Sequence, residues 1–340
     1  MASADRLHRG SFPLPIDVSS ILASSCLLTH TFSSPCLLLL PCASPHLIIT
    51  QPADLTRLDP IHIAGTKGKG STSSLTSSIL NAHRRLHGTP RKIGLYTSPH
   101  LTSVRERIRL NDTPIPERLF ARYFSDVWDA LGDAEKPGYF RMLTLLAFHA
   151  FLEESVDAAV FEVGVGGAFD ATNVFEDVAA AAILDLGIDH VATLGGTLPE
   201  IAWHKAGVMK AGAPAFTVPQ EPEAMRVLEQ RAAEAGAELV QVRVHPGLRD
   251  VRVRPDEEFQ RRNASMAIQL SAAALRRLGV ELDLSGKLPA EVVQGIEYVN
   301  WRGRCETLAA RGKTWYLDGA HTEESLEVAC RWFGRVSKEK

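Results

Sequence analysis

Ile61-His62-Ile63-Ala64-Gly65-Thr66-Lys67-Gly68-Lys69-Gly70-Ser71-Thr72 carries a short β-branched run into a turn with three glycines and two lysines in six residues. A helix-compatible segment from Ser71 to about His87 follows it. Strand, glycine turn and helix in that order have the layout of a phosphate-binding loop. Glycines let backbone N–H groups approach phosphate oxygens, and a helix N-terminus adds the positive end of its dipole. In this reading Lys69 reaches the β- and γ-phosphates, and Ser71 or Thr72 offers a hydroxyl to phosphate or Mg²⁺. The usual G-x-x-x-x-G-K-[ST] pattern is not met, because Ile63 stands at its first glycine and Gly70 at its hydroxyl residue. A flexible basic turn is the plain alternative, and the flanking strand and helix weigh against it.

The 340-residue length suits about two domains. A hydrophobic share of 45% and a charged share of 23% are those of a globular chain. A net charge of −3 speaks against general nucleic-acid binding, so any anion site has to be locally basic. Cys26, Cys36, Cys42, Cys305 and Cys330 form no C-x-x-C pair and support neither a disulfide framework nor a zinc site. Val18 to Ala53 lacks Asp, Glu, Lys and Arg, yet its longest clean apolar run, Leu37 to Leu40, is far too short to span a bilayer. Arg6, His8 and Arg9 hint at a presequence, and Asp5 and Asp17 interrupt the pattern. Residues 1–50 are expected to be a disordered or presequence-like leader, dispensable for folding.

Downstream, Lys92 to Tyr96 reads as a second strand, and Val104 to Leu110 as an exposed basic loop or strand. Helical spacing begins at Pro116 and again at about Phe140. Strands are expected at Asp157–Val163, Val178–Leu184, Ala215–Val218 and Leu239–Val244, and helices from Pro199, Pro222 and Gln260. Ser285 to Glu297 reads as a connector. Alternating strands and helices predict an α/β domain, with a mostly parallel sheet and helices on both faces, over residues 51–298. From residue 299 a new unit starts, with strands at Arg304–Leu308 and Thr314–Leu317 and a helix at Glu323–Phe333.

Ligands of open parallel sheets bind beyond the carboxyl ends of the strands. The glycine loop after Ile63, Ser98 after Tyr96, Glu162 at its strand's close and His190 after Leu184 all fall there. Taken singly, Ser98 could cap a turn, Glu162 could form a buried salt bridge, His190 could be a core histidine, and Asp170 and Asp189 could be turn residues. Lys205 lies among Ile201, Ala202, Trp203, Ala206, Val208 and Met209, so its amine is expected to be partly buried. Burial lowers a lysine pKa, and a neutral amine combines with CO₂ to give a carbamate, an anionic metal ligand. Snorkelling to solvent is the plain alternative, and physics alone favours it.

Gly65-Thr66-Lys67-Gly68-Lys69-Gly70-Ser71, Ser98-Pro99-His100-Leu101, Ser103-Val104-Arg105-Glu106-Arg107 and Glu162-Val163-Gly164-Val165-Gly166-Gly167 together resemble the folylpolyglutamate synthases, Mur-ligase-like amide ligases. Gly187-Ile188-Asp189-His190, Ile201 to Gly207, Phe259-Gln260 with Asn263-Ala264, and Trp315 to Thr322 continue the resemblance in family order from about residue 54 to 334. Ala168-Phe169-Asp170 and Trp203-His204 are similar to the eukaryotic branch, whereas Arg302 stands where the family has proline. Most of the family's second domain is missing after Trp301, which suggests a chain that is a poor ligase or none.

The resemblance implies a carbon–nitrogen ligase that activates the terminal carboxylate of a reduced folate as an acyl phosphate, which L-glutamate then attacks. It implies ATP and Mg²⁺ as cofactors, with a monovalent cation as a further option, a monomer, and a cytoplasmic or mitochondrial location. Gly65, Thr66, Lys67, Gly68, Lys69, Gly70, Ser71 and Thr72 would hold phosphate, while Asn263, Arg304, Asp318 and His321 would face ATP across a cleft. Ser98, Glu162 and His190 would be metal ligands, with carbamylated Lys205 at a second position; Lys69, Lys205 and His190 would be the catalytic set. Dihydrofolate synthase is the near alternative, and a nucleotide- or folate-binding paralogue without ligase activity the distant one. A plain phosphate-loop hydrolase would leave the other motifs unexplained.

Overall fold

The computed structural model describes residues 52–132, 136–320 and 322–338. The expectations for the leader and for His321 lie outside the described residues. Eight strands form one sheet in the order β4-β3-β2-β5-β1-β6-β7-β8. They are β1 (Pro60–Ala64), β2 (Ile93–Tyr96), β3 (Ile108–Leu110), β4 (Thr113–Pro114), β5 (Ala158–Glu162), β6 (Ala180–Ile183), β7 (Pro214–Thr217) and β8 (Glu238–Gln241). The pairings among β1, β2, β5, β6, β7 and β8 are parallel, and β3 and β4 add an antiparallel edge.

The central strands are buried along their whole length, as a sheet covered on both faces requires. Alternation assigns the sides: Ala159 and Phe161 join one core and Ala158 and Val160 the other. The first core is closed by helices α2 (Glu117–Ala130), α3 (Tyr139–Glu153), α5 (Leu198–Ala206) and α6 (Pro222–Ala235). A four-residue helix, α4 (Val191–Leu194), precedes α5. The second core is closed by α1 (Lys69–His87) and α7 (Glu258–Arg277). β6 is Ala180-Ala181-Ala182-Ile183, and short side chains there let helices approach the sheet closely.

The stretch expected to be a connector instead holds helix α8 (Ala290–Glu297). It runs back along α1, since Ser78 Oγ donates to Gly295 O at 2.7 Å and Trp301 beyond it lies over Gly70. A β-carbon on Gly295 would come within 2.4 Å of Ile79 Cα, so glycine sets the distance between the two helices. Gly295→Val is expected to cost about 2–4 kcal/mol, read as a lower urea midpoint. An unchanged midpoint would show that α8 can be displaced freely.

Of the stretch read as an exposed loop or strand, Ile108–Leu110 is strand β3, whereas Val104–Arg107 is a 3₁₀ turn with a capping box from Ser103 and Glu106. Three backbone N–H groups and the Thr102 hydroxyl reach the Glu106 carboxylate and draw its pKa down to about 2 against the opposing cost of burial. That turn buries Arg107. The last described elements are a two-stranded antiparallel sheet, β9 (Glu306–Ala310) with β10 (Lys313–Leu317), and helix α9 (Glu323–Val336). Arg302 pairs with Glu306 at 3.5 Å at the start of this unit.

Candidate functional site

Connections from β1 to β5 build the sheet to one side and those from β6 onward to the other, so the order reverses at β1. A crevice opens beyond the strand ends at such a reversal, and the glycine loop lies there. Thr66 N and Lys67 N donate to Asp185 O at 2.9 and 3.2 Å, which ties the loop to the end of β6. Thr66 Oγ1 donates to Gly187 O at 3.0 Å. Gly68 has φ +83° at the N-cap of α1, a conformation that suits glycine. A β-carbon on Gly68 would sit 2.6 Å from Asn263 Oδ1, so buried Asn263 of α7 presses on the loop while its amide donates to Gln260. On Gly70 a β-carbon would meet the indole of Trp301 at 3.2 Å and Glu162 Oε2 at 3.5 Å.

Two lysines converge on one carbonyl. Lys69 Nζ and Lys205 Nζ each donate to Gly65 O at 2.9 Å. Lys205 is buried, and burial together with the charge of Lys69 brings its pKa from 10.5 down to about 7. The buried reading of Lys205 therefore holds over the snorkelling one. Its position is set by the turn after β5: Ala168 N donates to His204 O at 2.7 Å, and Asn173 Nδ2 donates to Ala168 O and Gly207 O at 3.1 and 3.0 Å. Asp170 ties the same turn by accepting from Val165 N and Thr172 N, so it is a turn residue.

Glu162 closes β5 beside the loop with its carboxylate accepting from Ser98 N at 2.9 Å. Burial pushes its pKa above 4.5, while Lys69, the Ser98 N–H, Arg304 and Arg107 pull the other way. The buried carboxylate is thus compensated by these positive charges and the Ser98 N–H rather than by one salt bridge. His190 is exposed, adopts φ 51°, and its Nε2 faces Asp189 at 3.7 Å. Thr72 is buried inside α1 with its hydroxyl lacking a partner among the described residues. Asp318 accepts from Cys305 N and Ala320 N, which fastens the mouth of the β9–β10 unit. Lys67 Nζ donates to Thr322 Oγ1, joining the loop to the cap of α9.

Arg107, Trp301 and Thr322 enter the site although the sequence reading gave them no role there; Arg107 and Thr322 stood only within family motifs. Arg107 also donates to His100 Nδ1 at 3.0 Å. It lines a cavity of about 500 Å³ together with Ser98, Phe140, Gly164, Asp170 and His204.

A parallel sheet with a glycine loop at its reversal and a carboxylate at the neighbouring strand end is a Mur-ligase-like α/β domain. The chain is 51% identical to the folylpolyglutamate synthase of Neurospora crassa over 291 residues, 82% of this chain and 55% of that protein. It is 46% identical to a probable folylpolyglutamate synthase of Schizosaccharomyces pombe, over 83% of this chain and 57% of that one. The chain belongs to the folylpolyglutamate synthase family. It spans about half the length of the curated relatives it matches. Among solved structures, the apo form of the L. casei enzyme superposes with a TM-score of 0.76 at 25% identity, covering 94% of this chain and 79% of that one. A complex with AMPPCP and folate gives 0.72 at 26% identity, over 86% and 76% of the two chains. No family model matches the chain.

Proposed function

We propose that the glycine loop binds the phosphates of ATP and that the site adds L-glutamate to the γ-carboxylate of a tetrahydrofolyl-(poly)glutamate. The observation that carries this reading is the meeting of Lys69, Lys205 and Glu162 at the ends of β1 and β5. The names borne by the relatives, and the AMPPCP and folate in a similar solved structure, support the same chemistry.

In this proposal the loop's N–H groups and Lys69 place the γ-phosphate, and the folate carboxylate attacks it. ADP leaves as the acyl phosphate forms; the glutamate amine then attacks its acyl carbon, forming the amide and releasing inorganic phosphate and a proton. Positioned cations are the main requirement of phosphoryl transfer. Glu162 and Ser98 would hold Mg²⁺, which would offset charge on the phosphates. His190 would complete the set only after turning from Asp189. Asn263 and Arg304 would approach the nucleotide from α7 and from the start of the β9–β10 unit, and Asp318 and His321 would contact it as well. The cavity beside Ser98 has a size that suits a folate, whose ring would meet Phe140 and whose carboxylate would meet Arg107. The chain would divide at about residue 298 into this ligase domain and a second unit. The enzyme would work as a monomer in the cytoplasm or mitochondrion. Among the described residues no helix is long and apolar enough to cross a membrane.

Incubating a chain that spans the full length of its relatives with ATP, Mg²⁺, tetrahydrofolate and labelled glutamate tests the proposal: label is expected in folate, with one ADP per glutamate added. ATP hydrolysis without transfer would leave a phosphate-loop hydrolase instead.

Lys205 carries a separate expectation. An amine with a pKa of about 7 is substantially neutral at physiological pH, the form that combines with CO₂. With ¹³C-bicarbonate a carbamate resonance is expected in the wild type and not in Lys205→Ala, together with loss of ligation in the variant. An active alanine variant and no resonance would make Lys205 a packing residue.

A further inference from the structure

We propose that His83, His87 and Glu291 form a binding site for one divalent transition-metal ion of the zinc type, remote from the glycine loop. The two histidines are four residues apart on α1 and so share one helix face. Glu291 lies in the first turn of α8, which runs back along α1. One ligand atom from each of the three side chains falls within 4.8 Å of the others, and His87 Nε2 is 3.6 Å from Glu291 Oε1. A tetrahedral zinc ion about 2.1 Å from each ligand would bring ligand atoms to roughly 3.4 Å apart, so small rotamer changes close the set.

His83 is oriented as such a ligand should be. Its Nδ1 is bonded to Thr89 O, and a carbonyl only accepts, so the proton resides on Nδ1 and Nε2 presents a lone pair. A histidine held through its other nitrogen by a carbonyl is the usual support of a metal ligand. The His83 and His87 rings lie 4.5 Å apart, and the neighbouring Arg84 guanidinium is turned to Asn81 at 3.3 Å. His83 and Glu291 are buried, whereas exposed His87 leaves an approach from solvent. Two imidazoles and one carboxylate suit zinc and its neighbours in the series rather than Mg²⁺. The fourth position is left to water.

The site belongs to the far end of α1, about 27 Å from Lys69 along a helix rising 1.5 Å per residue. An ion there would clamp the start of α8 to α1, and α8 leads to Trp301 against the loop. Untagged, metal-stripped protein titrated with Zn²⁺ tests this. One saturable site is expected, weakened at least tenfold in His87→Ala and in Glu291→Gln. At a hundredfold excess over Kd the thermal midpoint should rise by roughly 5 °C, an increase Mg²⁺ should not give. Co²⁺ should give the intense visible absorption of a four-coordinate ion in the wild type and not in His87→Ala. His87 is exposed, so that variant is expected to fold as well as the metal-free wild type, which calorimetry without metal checks. Absence of saturable binding, or equal affinity in the wild type and both variants, would overturn the site and make any zinc uptake adventitious.

Discussion

Replacing Lys69 by alanine is expected to lower ATP turnover by on the order of 10²–10³, because a charge preplaced where phosphoryl charge develops is worth several kcal/mol. The fold should be nearly untouched. Lys69 Nζ donates to the Gly65 and Thr66 carbonyls, and its charge acts on Glu162 and Lys205 at the site rather than on the hydrophobic core. The two effects separate cleanly in a paired measurement of ADP release and urea denaturation. Near-normal ADP release would remove the loop from the chemistry. Lost release with a large drop in midpoint would show that Lys69 chiefly holds the loop together, through the carbonyl it shares with Lys205.

Glu162→Gln is expected to raise stability while removing activity. The carboxylate is buried, and burial holds its pKa above the ordinary 4.5. The folded state therefore binds this proton more tightly than the unfolded chain does. Its contribution is fully present below about pH 4.5 and is lost as pH rises through the folded value. A neutral glutamine removes that loss and can still accept from Ser98 N through its amide oxygen. The thermal midpoint at neutral pH should rise, and the difference from wild type should shrink as pH falls toward 4.5. Turnover should fall by on the order of 10²–10³, since an amide is a poor partner for Mg²⁺. A lower midpoint at neutral pH would mean that Lys69, Arg304 and Arg107 outweigh burial, and the sign argued here would be wrong.

The sheet was legible because each strand end carries its own punctuation: Gly65 after β1, Ser98-Pro99 after β2, Gly164 after β5 and Gly187 after β6. The burial of Lys205 was only half legible, because its apolar neighbours allowed burial while a long amine among them more often snorkels to solvent. That of Arg107 was not legible, because alternating charges look the same on a solvated loop and on a short 3₁₀ turn that folds one guanidinium inward. Helix α8 was missed for another reason. It is eight residues long with a glycine inside, and its stability comes from the fit of Gly295 against α1 rather than from propensity. Contacts such as Lys67 with Thr322, 255 residues apart, follow from tertiary geometry that no local pattern encodes. His83, His87 and Glu291 meet only through the course of α8, which no local pattern encodes.

Trp301 closes over Gly70 with the Arg109 guanidinium 5.5 Å from its ring centroid. Indole emission responds to nearby charge and to the polarity around the ring, so nature has placed a fluorophore against the start of α1. A nucleotide phosphate settling on Gly68–Gly70 should shift or quench that emission without any label. Trp301→Phe would isolate its signal from those of the other four tryptophans. Stopped-flow mixing could then time the arrival of ATP separately from the bond-making that follows.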